Sequence, residues 1–174
     1  MDEKQLIEGC INKDRKAQKA LYDKYSKRMM AVCLRYVKNT DDAQDLLQEG
    51  FIKLFTNIHK YMGEGLFDGW VRKIFVNCAL ERLRYQDVLK NADDITETDY
   101  ADLPDESTVS QLSAEEIMAY VRMLPDGFRT VFNMFAIEGY SHKEIGQKLH
   151  IAESTSRSQY VRARKMLQKM ILHH

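Results

Sequence analysis

The segment from Ser141 to Met170 constrains the fold more than any other part of this chain. Ser141 is followed three residues later by Glu144, which is the spacing of a capping box at the start of a helix. Residues 150–152 are enough for a tight turn, and a longer basic helix is predicted over 153–172. A short helix, a short turn and a longer helix together indicate a helix-turn-helix.

The predicted second helix has two different faces, because residues three and four apart share one side of a helix. One face, expected to pack inward, holds Ser156, Tyr160, Ala163, Leu167 and Met170. The other holds Arg157, Ser158, Val161, Arg162 and Lys165. Arginine can donate two hydrogen bonds to a guanine edge or to a phosphate. We therefore interpret this face as a DNA-binding surface, in preference to a merely solvated basic surface. Ser154 and Thr155 are expected to cap the helix or to donate to a phosphate.

Composition favours an all-α protein. The 174 residues include only two prolines and eight glycines, and strand-like alternation is rare. No segment approaches the roughly 20 apolar residues of a membrane span, so we do not expect a membrane protein. Cys10, Cys33 and Cys78 are odd in number and widely spaced, which indicates buried reduced thiols.

The formal net charge of zero conceals an uneven distribution along the chain. Residues 1–85 hold 16 basic and 12 acidic side chains, and residues 121–174 hold 9 and 4. Residues 86–120 hold 1 basic and 10 acidic side chains. Two basic modules flanking an acidic connector are typical of a protein that binds a polyanion.

Helical periodicity divides the first module into three long helices. They are predicted over 16–37, 42–61 and 67–85, with a loop at 62–65 and Asp68 capping the third helix. Inward positions of the first are Ala20, Leu21, Tyr25, Met29, Val32 and Tyr36, and those of the second are Ala43, Leu46, Leu47, Phe51, Leu54, Phe55 and Ile58.

The chain is therefore predicted to be two small helical domains, 1–85 and 114–174, joined by a flexible acidic linker over 86–113. Before the helix-turn-helix, the second domain is expected to contain helices over 114–123 and 127–138.

Three stretches together resemble the small extracytoplasmic-function (ECF) sigma factors of bacterial RNA polymerase, which belong to the sigma-70 family. They occur in the order of that family and read DDAQDLLQEGFIKLF at 41–55, FDGWVRKIFVNCALERLR at 67–84 and LPDGFRTVFNMFAIEGYSHKEIGQKLHIAESTSRSQYVRARKML at 124–167. The segment STSRSQYVRARKML resembles the corresponding segment of sigma factors from Bacteroidetes-type bacteria.

The resemblance implies a cytoplasmic sigma factor that binds core RNA polymerase, directs it to promoters and assists DNA opening. Domain 1–85 would be region 2 and domain 114–174 region 4. The partners would be the clamp coiled-coil and flap of the polymerase, promoter DNA and an anti-sigma factor, which in many relatives is bound to the membrane. No catalysis, cofactor or metal is expected.

The resemblance also assigns site residues. Polymerase docking would use Asp42, Asp45, Gln48 and Glu49. The minus-ten element would be contacted by Lys60, Tyr61, Phe67, Arg72, Lys73, Asn77 and Arg84, with Trp70 expected in the core. The minus-thirty-five element would be contacted by Ser154, Thr155, Arg157, Ser158, Val161, Arg162 and Lys165.

The sequence departs from the family at several positions. Ser156 stands where valine is common and Tyr160 where leucine is common, and we expect the tyrosine to fill the volume that the serine leaves. Glu81 replaces a common aspartate and Gln44 a common acidic residue.

Two other classes of protein remain as alternatives. A stand-alone helix-turn-helix repressor or activator would need a dimer on two half-sites, and would leave the first basic module unexplained. An enzyme with a carboxylate metal site near 41–49 would be expected to show the Glu-x-x-His pattern of helical di-metal proteins, which is absent from the sequence.

Overall fold

A computed structural model describes residues 1–85 and 112–173, and the regular structure within these ranges is helical, as predicted. The chain divides into two compact units, Met1–Ala79 and Leu80–His174. The predicted linker 86–113 lies almost entirely outside the described residues.

Four helices and one short turn lie before residue 86. They are α1 (Glu3–Ile11), α2 (Arg15–Tyr36), α3 (Thr40–Asn57), a 3₁₀ turn (Ile58–Lys60) and α4 (Phe67–Tyr85). The second part holds α5 (Ala114–Met123), α6 (Asp126–Phe132), a π-helical turn (Asn133–Ile137), α7 (His142–Leu149) and α8 (Glu153–Leu172). The predicted bounds of α4, α5 and α8 are confirmed.

Helix α1 was not predicted, although its start signal is present in the sequence. The Asp2 carboxylate accepts a hydrogen bond from the Gln5 amide at 2.8 Å, and the Gln5 side chain accepts from the Asp2 amide at 3.1 Å. This reciprocal pair is a capping box. Leu6 and Cys10 are the buried residues of α1, too few to form a visible apolar stripe.

The core of the first unit forms where α2, α3 and α4 pack together. The predicted stripes are largely confirmed, since Leu21, Tyr25, Leu46 and Leu54 are fully buried, while Ala20 and Phe55 are only half-buried. Other buried positions on the three helices are Ala17, Val32, Cys33, Tyr36, Ala43, Val71, Phe75, Val76 and Cys78. This core leaves the remaining faces of α3 and α4 available for binding.

Cys10, Cys33 and Cys78 are buried and carry no disulfide, as predicted. Burial, with a smaller contribution from Asp14, raises the pKa of the Cys10 thiol to about 11. Burial also raises the pKa of the Cys33 thiol to about 12, so both thiols are protonated at neutral pH, and all three cysteines belong to the core.

In the second unit, the predicted helix over 127–138 is divided in two. Helix α6 gives way at Asn133 to a π-helical turn, and Gly139 follows with a φ of 79°. A π turn accommodates one extra residue within a helix, which periodicity cannot reveal. Arg129 is 1% exposed at the start of this segment and donates to the Leu124 carbonyl at 2.8 Å.

The helix-turn-helix is present with its predicted capping box. The Glu144 amide donates to the Ser141 hydroxyl at 3.2 Å, and the Ser141 amide donates to the Glu144 carboxylate at 2.8 Å. His150 ends α7 in the left-handed conformation, with a φ of 56°. The predicted cap of α8 is wrong, because Ala152 is the N-cap and no side-chain hydrogen bond is made there. Ser154 and Thr155 therefore lie inside the first turn.

The part of the chain that the structure describes contains no helix that is both long enough and apolar enough to cross a membrane.

Candidate nucleic-acid and polymerase interfaces

Helix α8 presents its basic residues away from the core of the second unit. Arg157 is exposed, and Ser158, Val161, Arg162 and Lys165 are half-buried along the same side. Ser154 is exposed and Thr155 half-buried at the start of the helix. The structure therefore brings the seven residues predicted for the minus-thirty-five element onto one accessible surface.

Arg157 is already engaged within its own helix. Its guanidinium forms an ion pair with Glu153, one turn earlier, and both side chains are about half exposed. An exposed ion pair of this kind contributes little to stability, so a phosphate or guanine could replace the carboxylate at small cost. The pair holds Arg157 near the N-terminal end of α8, where a recognition helix contacts base edges.

The inward face of α8 is built from Ser156, Ala163 and Leu167, while Tyr160 and Met170 are half-buried. Gln159, which the periodicity did not single out, is also buried. Ala163 and Leu167 pack into an apolar core with Val121, Leu124, Ile117, Met118, Tyr120, Phe128, Phe132 and Met166. The core residues of α5 and α6 thereby determine which side of α8 faces solvent.

In the first unit, an aromatic cluster lies beside the loop before α4. The Tyr61 ring lies 5.0 Å from Phe67 and 5.5 Å from Trp70, and the Phe67 and Trp70 rings stack at 5.8 Å. The Tyr61 hydroxyl donates to the Gly65 carbonyl at 2.8 Å, which ties the ring to the loop. Tyr61 and Trp70 are half-buried. These two partly accessible rings offer an aromatic surface on which a base can stack.

Phe67 does not fit its predicted role as a base contact. It is 1% exposed, with its ring against Tyr61, Trp70 and Tyr25. As the first residue of α4, it is turned into the core by the helix that follows the loop. Trp70 was expected in the core and is instead partly accessible. Phe67 is therefore the buried residue of this pair, and Trp70 is the one available for contact.

Asp68 does not act as the expected cap of α4. Its carboxylate accepts hydrogen bonds from the Tyr25 hydroxyl and, at 2.9 Å, from Arg28. The hydrogen bond from Tyr25 and the nearby Arg28 guanidinium lower the pKa of Asp68. Burial and this same carboxylate raise the pKa of Tyr25. The network joins the middle of α2 to the start of α4. It contacts the aromatic cluster through Tyr25, whose ring packs against Phe67.

The polar residues predicted for the minus-ten element extend along α4. Lys73 and Arg84 are exposed, and Arg72 and Asn77 are half-buried. Lys60 is exposed at the end of the 3₁₀ turn, next to Tyr61. Apart from Phe67, the residues predicted for this element are thus accessible.

The predicted docking residues lie on the first three turns of α3. Asp45 and Gln48 are exposed, and Glu49 forms an ion pair with Lys53 at 3.2 Å. Asp42 has a second role, because its amide donates to the Asn39 side chain and its carboxylate accepts from Asn39, both at 2.7 Å. This cap stabilises the start of the docking helix.

Ile52 was missed by the sequence analysis. It is 66% exposed and lies three, four and seven residues after Glu49, Gln48 and Asp45, so it shares their face. The sequence places Ile52 outside the predicted core stripe but gives it no role, because exposure depends on where α2 and α4 pack. The acidic face of α3 is therefore followed, one turn further along the helix, by an exposed apolar residue.

Across residues 1–85 and 112–173, no group of three or more His, Cys, Asp or Glu side chains is arranged to hold a metal ion.

The chain matches two family models whose regions follow these surfaces. Sigma-70 region 2 matches residues 21–88, which include most of α2, all of α3, the aromatic loop and α4. Sigma-70 region 4 matches residues 114–167, which include α5 to most of α8. The chain belongs to the sigma-70 family. It is an ECF sigma factor, which binds RNA polymerase and confers promoter specificity on it.

Relatives of this sigma factor match along nearly the whole chain. The ECF RNA polymerase sigma-E factor of Haemophilus influenzae is 29% identical over 95% of this chain and 93% of the relative. The ECF RNA polymerase sigma factor SigW of Bacillus subtilis is 28% identical over 97% of this chain and 96% of the relative. The resemblance inferred from the sequence is thereby confirmed at the level of the ECF type.

The fold is similar to that of a solved sigma factor, RpoE of Bartonella quintana, determined in complex with the anti-sigma factor NepR. The similarity has a TM-score of 0.51 and 19% identity, and it covers 89% of this chain and 96% of that chain. The two-part helical architecture is therefore that of known sigma factors.

Proposed function

We propose that this sigma factor uses three separate surfaces: one binds core polymerase, one the minus-ten element and one the minus-thirty-five element. Residues 1–85 would bind the polymerase and the minus-ten element, 114–174 would bind the minus-thirty-five element, and 86–113 would connect them. The division of labour agrees with the charge distribution, since both end modules are basic and the connector is acidic.

The observation that carries the assignment of the minus-thirty-five element is the orientation of α8. Ser156, Ala163 and Leu167 are buried, which leaves Arg157, Ser158, Val161, Arg162 and Lys165 on the accessible side. A recognition helix in the major groove requires this arrangement of donors and one small apolar residue at its surface.

For polymerase docking we propose Asp42, Asp45, Gln48 and Glu49, with Ile52 added as an apolar contact. The clamp coiled-coil expected from the resemblance would meet both charge and an apolar side chain here. Rim charges mainly set encounter rate and register, whereas a desolvated apolar residue adds affinity.

For the minus-ten element we propose the surface formed by Tyr61 and Trp70, with Lys60, Arg72, Lys73, Asn77 and Arg84 as contacts to the strand. Opening a duplex requires bases to leave the stack and rest against protein, and an aromatic ring supplies a sequence-tolerant surface for this. Trp70 takes the place that the sequence analysis gave to Phe67.

We further propose that the protein acts in the cytoplasm without catalysis, cofactor or metal of its own. An anti-sigma factor is the proposed regulatory partner, on the precedent of the sigma factor RpoE bound to NepR. Such a partner would hold the sigma factor away from polymerase until a signal releases it.

Run-off transcription tests the proposal directly. Core polymerase is supplied with and without the protein on a library of upstream sequences, and new transcripts should share two spaced elements. Arg162→Gln should then lose discrimination at one position of the upstream element, by about 1–3 kcal/mol. Lys169→Gln, an exposed change on the same helix, serves as the control.

Tight duplex binding by the protein alone, without new transcripts, would instead support the stand-alone repressor or activator. Equal transcription from Arg162→Gln on matched and altered elements, with discrimination unchanged, would remove this residue from the recognition surface.

A further inference from the structure

Two residues that depart from the family, Ser156 and Tyr160, lie in one cluster with His142 and Phe135. The His142 ring stacks on Phe135 with a centroid distance of 4.2 Å and an interplanar angle of 8°. Tyr160 lies 4.6 Å from Phe135 and 5.8 Å from His142. The cluster joins the π-helical turn, the first residue of α7 and the first two turns of α8.

A hydrogen bond passes through the centre of this cluster. Nδ1 of His142 lies 2.9 Å from the Ser156 hydroxyl oxygen, and Ser156 is fully buried. A buried hydroxyl deprived of its partner is destabilising, so the position of the imidazole determines where Ser156 can lie. The parallel stack on Phe135 determines the position of the imidazole in turn.

Ser156 is adjacent to the proposed recognition residues. Successive residues of a helix are separated by a rotation of about 100°, so a fixed Ser156 fixes the directions of Arg157 and Ser158. Contacts to base edges tolerate little rotation, whereas contacts to phosphates tolerate more. A valine at position 156 could not form this link.

We propose that His142 is a positioning residue for promoter recognition, which fixes the rotation of α8 about its axis through Ser156. The inference rests on the proposed function of α8 as the recognition helix. It goes further by assigning promoter discrimination in part to a residue of α7 that need not contact DNA. Tyr160 packs on Phe135, the phenylalanine on which the imidazole also stacks.

The charged groups around the imidazole are compatible with this role. Burial and the nearby Arg157 lower the pKa of His142, and Glu153 acts weakly in the opposite direction. The ring is therefore neutral at pH 7, where its Nδ1 either accepts from Ser156 or donates to it.

The test uses the full chain in holoenzyme on two templates, one with the upstream element intact and one with it scrambled. His142→Phe keeps a ring on Phe135 and removes the nitrogen, Ser156→Ala removes the hydroxyl, and a third variant combines both changes. His142→Asn restores a polar atom near the position of Nδ1 and removes the ring. Thermal unfolding of each variant is measured separately.

We expect the ratio of transcript from the intact to the scrambled template to fall about tenfold in each single variant and no further in the double variant. Transcription from the scrambled template should stay near the wild-type level, because it depends on other contacts. His142→Asn should recover part of the ratio.

Two outcomes would overturn the inference alone. In one, the wild type discriminates between the templates and the variants do so equally well. In the other, the variants lose transcription from both templates in proportion, which indicates a purely structural role. A wild-type protein that does not discriminate at all would remove the proposed role of α8, and this inference with it.

Discussion

At the scale of single residues, exposure decides function, and exposure does not follow from residue type. Phe67 and Ile52 are both large and apolar, yet one is 1% exposed and the other 66%. The aromatic residue lies where α4 turns inward, and the aliphatic residue lies on the side of α3 that carries the acidic residues. From the sequence alone Phe67 is predicted at the surface, and Ile52 is given no role.

Ile52→Ser should weaken binding to core polymerase about tenfold. We expect the exposed apolar residue beside the acidic residues to be desolvated on binding, and truncation of a fully desolvated interface residue costs more than about 1 kcal/mol. The affinity for core polymerase is measured by titration of a fluorescently labelled protein. Stability should change by less than about 0.5 kcal/mol, since the side chain is mostly exposed.

Met123→Ser is the matched control for this change. Met123 is also 66% exposed, but it lies at the end of α5 in the second unit and is not part of the proposed docking helix. Equal losses of affinity in both variants would show that Ile52 has no special role.

His142 should make the second unit less stable in mild acid. Its pKa in the folded protein lies below its ordinary value of 6.5, because burial and Arg157 disfavour the charged form. Below this ordinary value the unfolded chain binds the proton more readily than the folded chain, so stability decreases as the pH falls through this window. Above the ordinary pKa, His142 is neutral in both the folded and the unfolded chain, and it no longer makes stability depend on pH.

The measurement is the free energy of unfolding of wild type and His142→Phe at about pH 7.5 and about pH 5. Wild type should lose more stability between the two conditions than the variant. An identical loss in both proteins would show that other groups cause the acid sensitivity.

At the scale of elements, a helix is predictable from the sequence where its boundaries and its apolar stripe are clear, and is missed where they are weak. Helix α4 has clear boundaries, and its predicted range of 67–85 is confirmed. The π-helical turn was missed because four of the five residues 131–135 are apolar, so their spacing does not distinguish an α-helix from a π-helical turn. Helix α1 was missed because only Leu6 and Cys10 of its nine residues are buried.

Packing between α3 and α4 depends on Gly50. A Cβ atom at this position would lie 2.3 Å from two atoms of the Phe75 ring, within the core of the first unit. Gly50→Ala should destabilise the protein by about 1–3 kcal/mol, because the phenylalanine must move within a close-packed core. Thermal or denaturant unfolding provides the measurement.

Gly69→Ala provides the contrast on α4. A Cβ atom there meets no neighbour within 4 Å, so the better helix propensity of alanine should leave stability unchanged or slightly higher. If both glycine variants had the same stability, the close approach at Gly50 would not matter to the fold.

At the scale of the whole molecule, two basic modules are joined in one chain, and we expect each to bind promoter DNA weakly by itself. Residues 1–85 and 121–174 each carry an excess of basic side chains, and each is proposed to contact a different promoter element. Tethering makes the second contact intramolecular once the first has formed. Polymerase would hold both modules at the required spacing.

The free protein should therefore bind a promoter duplex at least about 100-fold more weakly than the holoenzyme does. Fluorescence anisotropy of a labelled promoter fragment, titrated with the protein alone and with holoenzyme at one fixed salt concentration, measures the difference. Core polymerase without the sigma factor is the control. Comparable affinities would favour the stand-alone regulator.

The sequence by itself determined the helical class, the capping box of the helix-turn-helix and the two faces of α8. These follow from spacing along one helix and from hydrogen bonds within a few residues. The family resemblance, also present in the sequence, identified the ECF type that the comparisons confirm.

Only the tertiary structure decided which residues beyond these local patterns are accessible and which are held in place. The burial of Phe67, the exposure of Ile52 and the hydrogen bond between His142 and Ser156 each depend on how different elements pack together. Periodicity gives the sides of a helix but not the neighbours that cover them, and those neighbours determine which side chains remain available to bind.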